Sequence, residues 1–68
     1  MTPAANAFPT PQILVVDDDA ELRGGIADYL SQHGYGVLQA GDALTMEQVL
    51  AGAPIDLIVL DLMLPGED

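Results

Sequence analysis

The sequence predicts an α/β fold built on an open, doubly wound parallel sheet, and three observations carry that expectation. Two continuous apolar runs, Ile13-Leu14-Val15-Val16 and Leu57-Ile58-Val59-Leu60, have the length and β-branched content of strands buried on both faces. Each run stops abruptly at aspartate: Asp17-Asp18-Asp19 in the first case, Asp61 in the second. Between them, apolar residues recur at helical spacing. Strand and helix therefore alternate, which calls for right-handed crossovers and a parallel sheet covered on both faces.

Each element follows from its residues. Met1 to Pro11 carries three prolines and no periodicity, as expected of a flexible tail over residues 1–11. The first strand is Ile13 to Val16. From Ala20 to His33 the apolar residues Leu22, Ile26, Tyr29 and Leu30 recur at helical spacing, with Asp19 placed to cap the start and Gly34 to end the helix. Tyr35 to Ala40, centred on Val37 and Leu38, reads as a second strand. Asp42 offers another cap, Leu44 to Leu50 puts Met46, Val49 and Leu50 on one helical face, and Gly52-Ala53-Pro54 closes that segment. The third strand, Leu57 to Leu60, leads through Asp61 and Leu62-Met63-Leu64 to a Pro65-Gly66 turn signal. The expected order is β-α-β-α-β.

Composition narrows the function. The 68 residues include no cysteine, 11 acidic side chains and one arginine, for a formal net charge of −10. That excludes a disulfide framework and a cysteine zinc site. One cation cannot neutralise a row of phosphates, so these residues are not a nucleic-acid surface. Half the residues are apolar and 18% are charged, too hydrophobic a balance for a disordered acidic tail. A chain this short buries only about 60% of its unfolded surface and is marginal on its own. No apolar run approaches the ~18 residues of a membrane span and no secretory signal opens the chain, so a cytoplasmic protein with no membrane partner is expected.

The placement of the acids is the main functional signal. In open parallel sheets the reactive groups lie beyond the carboxyl ends of the strands, where the strand order reverses. If the second and third strands flank the first, that crevice receives Asp17, Asp18 and Asp61. Mutual repulsion makes such a cluster costly unless a cation sits among its members. Magnesium, which takes one or two carboxylates and keeps several waters, suits an open acidic pocket. An aspartate there can also serve as the nucleophile that forms an aspartyl phosphate.

Other polar residues have structural readings. Asp19 is a helix cap, Asp56 begins its strand at the opposite end of the sheet in solvent, and Glu21, Asp28 and Glu47 lie on polar helix faces. Arg23, four residues after Asp19, is placed for an exposed ion pair with it. Gly34-Tyr35-Gly36 lacks the third glycine and the following helix of a dinucleotide fingerprint and reads as a turn. His33, the single histidine, sits at a helix end and reads as a helix-end residue rather than a catalytic one. Gly24-Gly25 costs a helix interior about 1 kcal/mol per residue relative to alanine.

Two separate motifs, Ile13-Leu-Val-Val-Asp-Asp-Asp19 followed by Leu22-Arg23, and Leu57-Ile-Val-Leu-Asp-Leu-Met-Leu-Pro-Gly-Glu-Asp68, resemble the receiver domain of two-component response regulators, most closely the OmpR branch. The resemblance covers residues 12–68 and implies a flavodoxin-like, CheY-like fold, here its β1-α1-β2-α2-β3 portion. It implies that Asp61 is the phosphoacceptor, that Asp17 and Asp18 hold Mg2+, and that Met63 lends its backbone carbonyl to the metal. It further implies a sensor histidine kinase as partner. The family's receivers have five strands and five helices, so the switch hydroxyl, the phosphate-pairing lysine and the switch aromatic are expected beyond Asp68. A winged-helix DNA-binding domain is expected in a longer parent, the only route to DNA. Two other readings stand beside this one. A haloacid-dehalogenase-type phosphatase also uses a strand-end aspartate, but needs a second acid where Met63 stands. A segment inert in phosphoryl chemistry would instead self-associate through the exposed edge of its third strand.

Overall fold

A computed structural model describes residues 10–60. The element order is β1 (Gln12–Val16), α1 (Ala20–Gln32), β2 (Gly36–Ala40), α2 (Ala43–Gly52) and β3 (Leu57–Leu60). The three strands form one parallel sheet in the order β2-β1-β3. The central strand is therefore the first in sequence, which creates the reversal of strand order expected from the acidic motifs. The register pairs Val16 with Ala40 on one side and with Leu60 on the other.

Both helix starts are built as the sequence predicts. The Asp19 side chain accepts from the N–H groups of Glu21 and Leu22, each at 3.1 Å, and the Asp42 side chain accepts from the Thr45 N–H at 2.8 Å. These bonds satisfy amides that have no partner within their own helix. At the far end of α1 the Tyr35 N–H returns to the Leu30 carbonyl at 3.2 Å across Gly34, whose φ of 93° lies in the left-handed region that glycine enters without strain. His33 is the C-cap, and its ring lies 4.5 Å from that of Tyr29 one turn back.

The core sits on the central strand. Ile13, Leu14, Val15 and Val16 are all buried. Leu14 and Val16 cluster with Ala40, and Ala43, Met46, Val49 and Ile55 pack against them from the α2 side. Strand alternation turns Ile13 and Val15 to the opposite face. There α1, which lies against β1 and β2, buries Ala27. Among the described residues no helix is long and apolar enough to cross a membrane.

Several details depart from the sequence reading. The buried residue of α1 is Ala27, whereas Leu22 and Tyr29 are 54% and 62% exposed. A small residue lets the helix approach the sheet closely, with Ile26 and Leu30 half-buried beside it and Leu22 and Tyr29 on the outer flank. In α2, which is longer than expected at both ends, Ala43 joins Met46 and Val49 on the inward face and Leu50 is exposed. β2 starts at Gly36 rather than Tyr35. Asp56 is exposed as expected but is not merely solvated. Its carboxylate accepts from the Gln12 N–H at 2.7 Å while its own N–H donates to the Gln12 carbonyl at 2.8 Å, tying the entrance of β3 to that of β1.

Candidate functional site

The carboxyl edge of the sheet is organised around the residues that follow β1. The Asp17 N–H donates to the Ala40 carbonyl at 3.1 Å, so the β1–β2 ladder runs one residue past the strand and carries Asp17 to the rim. Its side chain is only 7% exposed, the one buried charged group among the described residues. One carboxylate oxygen accepts from the Asp19 N–H at 2.9 Å, and the other has no protein donor among the described residues. Asp18 is exposed, and its carboxylate makes no hydrogen bond to a described residue. Asp19 is committed to capping α1.

Arg23 reaches this edge from the first turn of α1. Its Nη1 donates to the Asp17 main-chain carbonyl at 2.8 Å and its Nε to the Gln39 side-chain oxygen at 3.0 Å. The guanidinium thus joins the ends of β1 and β2 instead of pairing with Asp19 as its spacing suggested. Next to it lies Gly41, where an added Cβ would stand 2.9 Å from Nη1. The absence of a side chain at that position leaves the room that the guanidinium fills.

Asp61 and Met63 lie outside the described residues, and so does any geometry that joins them to Asp17 and Asp18. Among the described residues no three acidic, histidine or cysteine side chains gather as a metal site. What the strands do define is the approach: Val16 and Leu60, the residues before Asp17 and Asp61, are register partners on adjacent parallel strands. The donor set that could hold an ion is all oxygen, and a buried carboxylate with one oxygen unpartnered fits a hard divalent cation. Sequence reasoning placed Asp17 and Asp18 at the carboxyl edge of the sheet, where they lie, and Asp19 as the helix cap it is, but missed the contacts that join Arg23 to the Asp17 carbonyl, Gln39 and Gly41. The available signal was the single cation of the chain, placed one helical turn after the acids.

Comparison with known proteins decides the family. Residues 13–68 match the response regulator receiver domain. The chain belongs to that family. This receiver is 46% identical over 63 residues to the transcriptional regulatory protein AruR of Pseudomonas aeruginosa, covering 85% of this chain and 26% of the relative. It is 36% identical over 59 residues to the aerobic respiration control protein ArcA of Escherichia coli, covering 87% of this chain and 25% of that one. In structure it resembles the signal receiver domain of an HD domain-containing protein from Pseudomonas fluorescens Pf-5, with a TM-score of 0.83 and 32% identity. That likeness covers 88% of this chain and 48% of the solved one, and it bears out the flavodoxin-like architecture. The receiver spans about a quarter of the length of the curated relatives it matches.

Proposed function

We propose that this receiver accepts a phosphoryl group on Asp61 from a sensor histidine kinase, in a two-component relay that ends in transcription control. The observation that supports the reading is the register pairing of Val16 with Leu60, the last residues of two adjacent parallel strands that are each followed in sequence by an aspartate. Family membership and the name of one relative, a transcriptional regulatory protein, support the signalling role and the output. On this reading the chain is a signalling module of the cytoplasm rather than a metabolic enzyme. It touches DNA only through a C-terminal winged-helix domain of a longer parent.

The chemistry follows from the carboxylates. An Asp61 oxygen attacks phosphorus, the bond from phosphorus to the kinase imidazole breaks, and the freed imidazole nitrogen takes a proton from solvent. The product is an acyl phosphate. Asp17, Asp18, Asp61 and the Met63 backbone carbonyl would hold Mg2+, which when bound offsets the charge of the incoming phosphoryl group. Asp17 is held in place by the Asp19 N–H and presents its other oxygen. Asp18 is exposed and would supply the more solvent-accessible ligand. Self-association through the outward edge of β3 belongs to the alternative reading, a segment inert in phosphoryl chemistry, and the exposure of Leu57 to Leu60 is what favours it.

The test is phosphorylation with a small phosphodonor such as acetyl phosphate, read by intact mass. Asp61→Asn should abolish the added mass, and Asp18→Asn should remove its dependence on Mg2+. An unchanged mass gain in Asp61→Asn, or an acid-stable phosphoserine, would refute the assignment.

A further inference from the structure

The only cation in a chain of net charge −10 is not spent on the surface. Arg23 stands half-buried, and two of its donors are committed to two acceptors, one just past the end of β1 and one on β2. Charge balance alone does not require this geometry. A counter-ion role would be served by an approach to the carboxylates of Asp17, Asp18 or Asp19, yet the group contacted at 2.8 Å is the Asp17 main-chain carbonyl. That carbonyl shares a planar peptide unit with the Asp18 N–H. Fixing its direction therefore fixes where the chain leaves β1 and where the Asp18 side chain begins.

We propose that Arg23 is a positioning residue for the acidic pocket. Its guanidinium orients the Asp17–Asp18 peptide, and Gln39 and Gly41 form the seat that holds the guanidinium in place. The inference rests on the metal-dependent phosphoacceptor reading above for its functional consequence, but its structural content stands without metal. Guanidinium is a rigid planar fork, so Nε and Nη1 can serve two acceptors at fixed separation, whereas a lysine ammonium carries the same charge at a single point. Gly41 is part of the device because a Cβ there would meet Nη1 at 2.9 Å and push it off the Asp17 carbonyl. The pocket's two described acids are then set by opposite ends of one short segment. The Asp19 N–H holds the Asp17 carboxylate at 2.9 Å, and Arg23 holds the peptide between Asp17 and Asp18.

Charge and geometry give different outcomes, and this decides the experiment. The full-length protein would be titrated with Mg2+ and followed by backbone amide NMR, for the parent and for Arg23→Lys, Gly41→Ala, Arg23→Met and the Arg23→Met/Gly41→Ala pair. Outer-shell groups that orient metal ligands are typically worth 10- to 100-fold in affinity. Arg23→Lys and Gly41→Ala should each weaken Mg2+ binding about tenfold. In both variants the Asp18 and Asp19 amide resonances should move even without metal. Gly41→Ala should have no added effect in the Arg23→Met background, because the group it displaces is gone. Parent-like Mg2+ affinity in Arg23→Lys would overturn the proposal, whatever happens to its thermal midpoint. So would additive losses in the pair. If instead the parent's Mg2+ binding ignores Asp18→Asn, the metal reading fails, and the metal-free amide shifts alone then confirm or reject the positioning role.

Discussion

β1 and β3 are written in nearly the same letters and live in different environments. Ile13-Leu14-Val15-Val16 is at most 3% exposed at every residue, whereas Leu57-Ile58-Val59-Leu60, its register partner throughout, is between 36% and 57% exposed. Both are four-residue apolar runs that end in aspartate. The difference lies in their neighbours. Among the described residues β1 has a strand on each side and lies against both helices, while β3 has one strand beside it and packs closely against neither helix. Apolar sequence declares that a strand seeks burial, but position in the sheet decides how much it receives. In β3 the demand for burial exceeds what the described residues supply, and an apolar, half-paired strand of this kind recruits further chain to its edge.

The largest effects should come from charge placed at the paired positions Val15 and Val59. Val15→Lys buries an ammonium without a partner and should cost more than about 4 kcal/mol, abolishing the cooperative thermal transition. Val59→Lys in the same 68 residues should cost less, about 1 kcal/mol, because that position is already 36% exposed and the ammonium can reach water. Equal damage from both substitutions would break the comparison. A milder version uses the next register pair. Leu14→Ala should cost about 2–5 kcal/mol in urea unfolding, as large-to-small core changes do, and Ile58→Ala about 1 kcal/mol.

The covering helices sharpen the comparison further. Apart from the neighbouring residues and the backbone of the helix itself, no described atom lies within 4 Å of a Cβ built on Gly24 or Gly25, so alanine at either site fits. Each change should stabilise α1 by about 1 kcal/mol and raise hydrogen-exchange protection in β1, on which α1 rests, more than in β3.

The smallest effect is a pH dependence. The Thr45 backbone N–H, with a second hydrogen bond from the Thr45 side chain, holds the Asp42 carboxyl below its ordinary range. A carboxyl lowered in the folded state contributes stability that is full above the unfolded value of about 3.9 and is lost as pH falls through the folded value. Asp42→Ala should therefore lose a little stability at neutral pH and flatten the acid limb of the stability curve below about pH 4. An unchanged acid limb would remove the cap from the account.

The same contrast explains what could be read from the sequence. Strand runs, both caps, the Gly34 terminator and the parallel order were legible because each depends on a few consecutive residues with strong local physics. Which apolar residue of α1 faces inward was not. Leu22 and Tyr29 satisfy helical spacing as well as Ala27 does, and the choice depends on how closely the helix can approach the sheet. The acidic edge was legible through Asp17 and Asp18 because strand ends in parallel sheets have one functional rim. Arg23's acceptors were not, since Gln39 is 16 residues away and becomes a neighbour only when β2 pairs with β1. The Gln12–Asp56 link, 44 residues apart, escaped for the same reason.

The seat of Arg23 has a consequence for handling the protein. As the sole residue of its charge type in 68, it is also the sole site for trypsin, whose specificity pocket takes a basic side chain. That scissile bond, Arg23–Gly24, lies inside α1, and the side chain the protease must grasp is already engaged by Asp17 and Gln39. Cleavage therefore requires the helix to unwind and the guanidinium to leave its seat together. When opening and reclosing are fast relative to cutting, digestion reports how often the protein visits that opened form. A single proteolytic clock is thus built into the segment that carries the acidic rim.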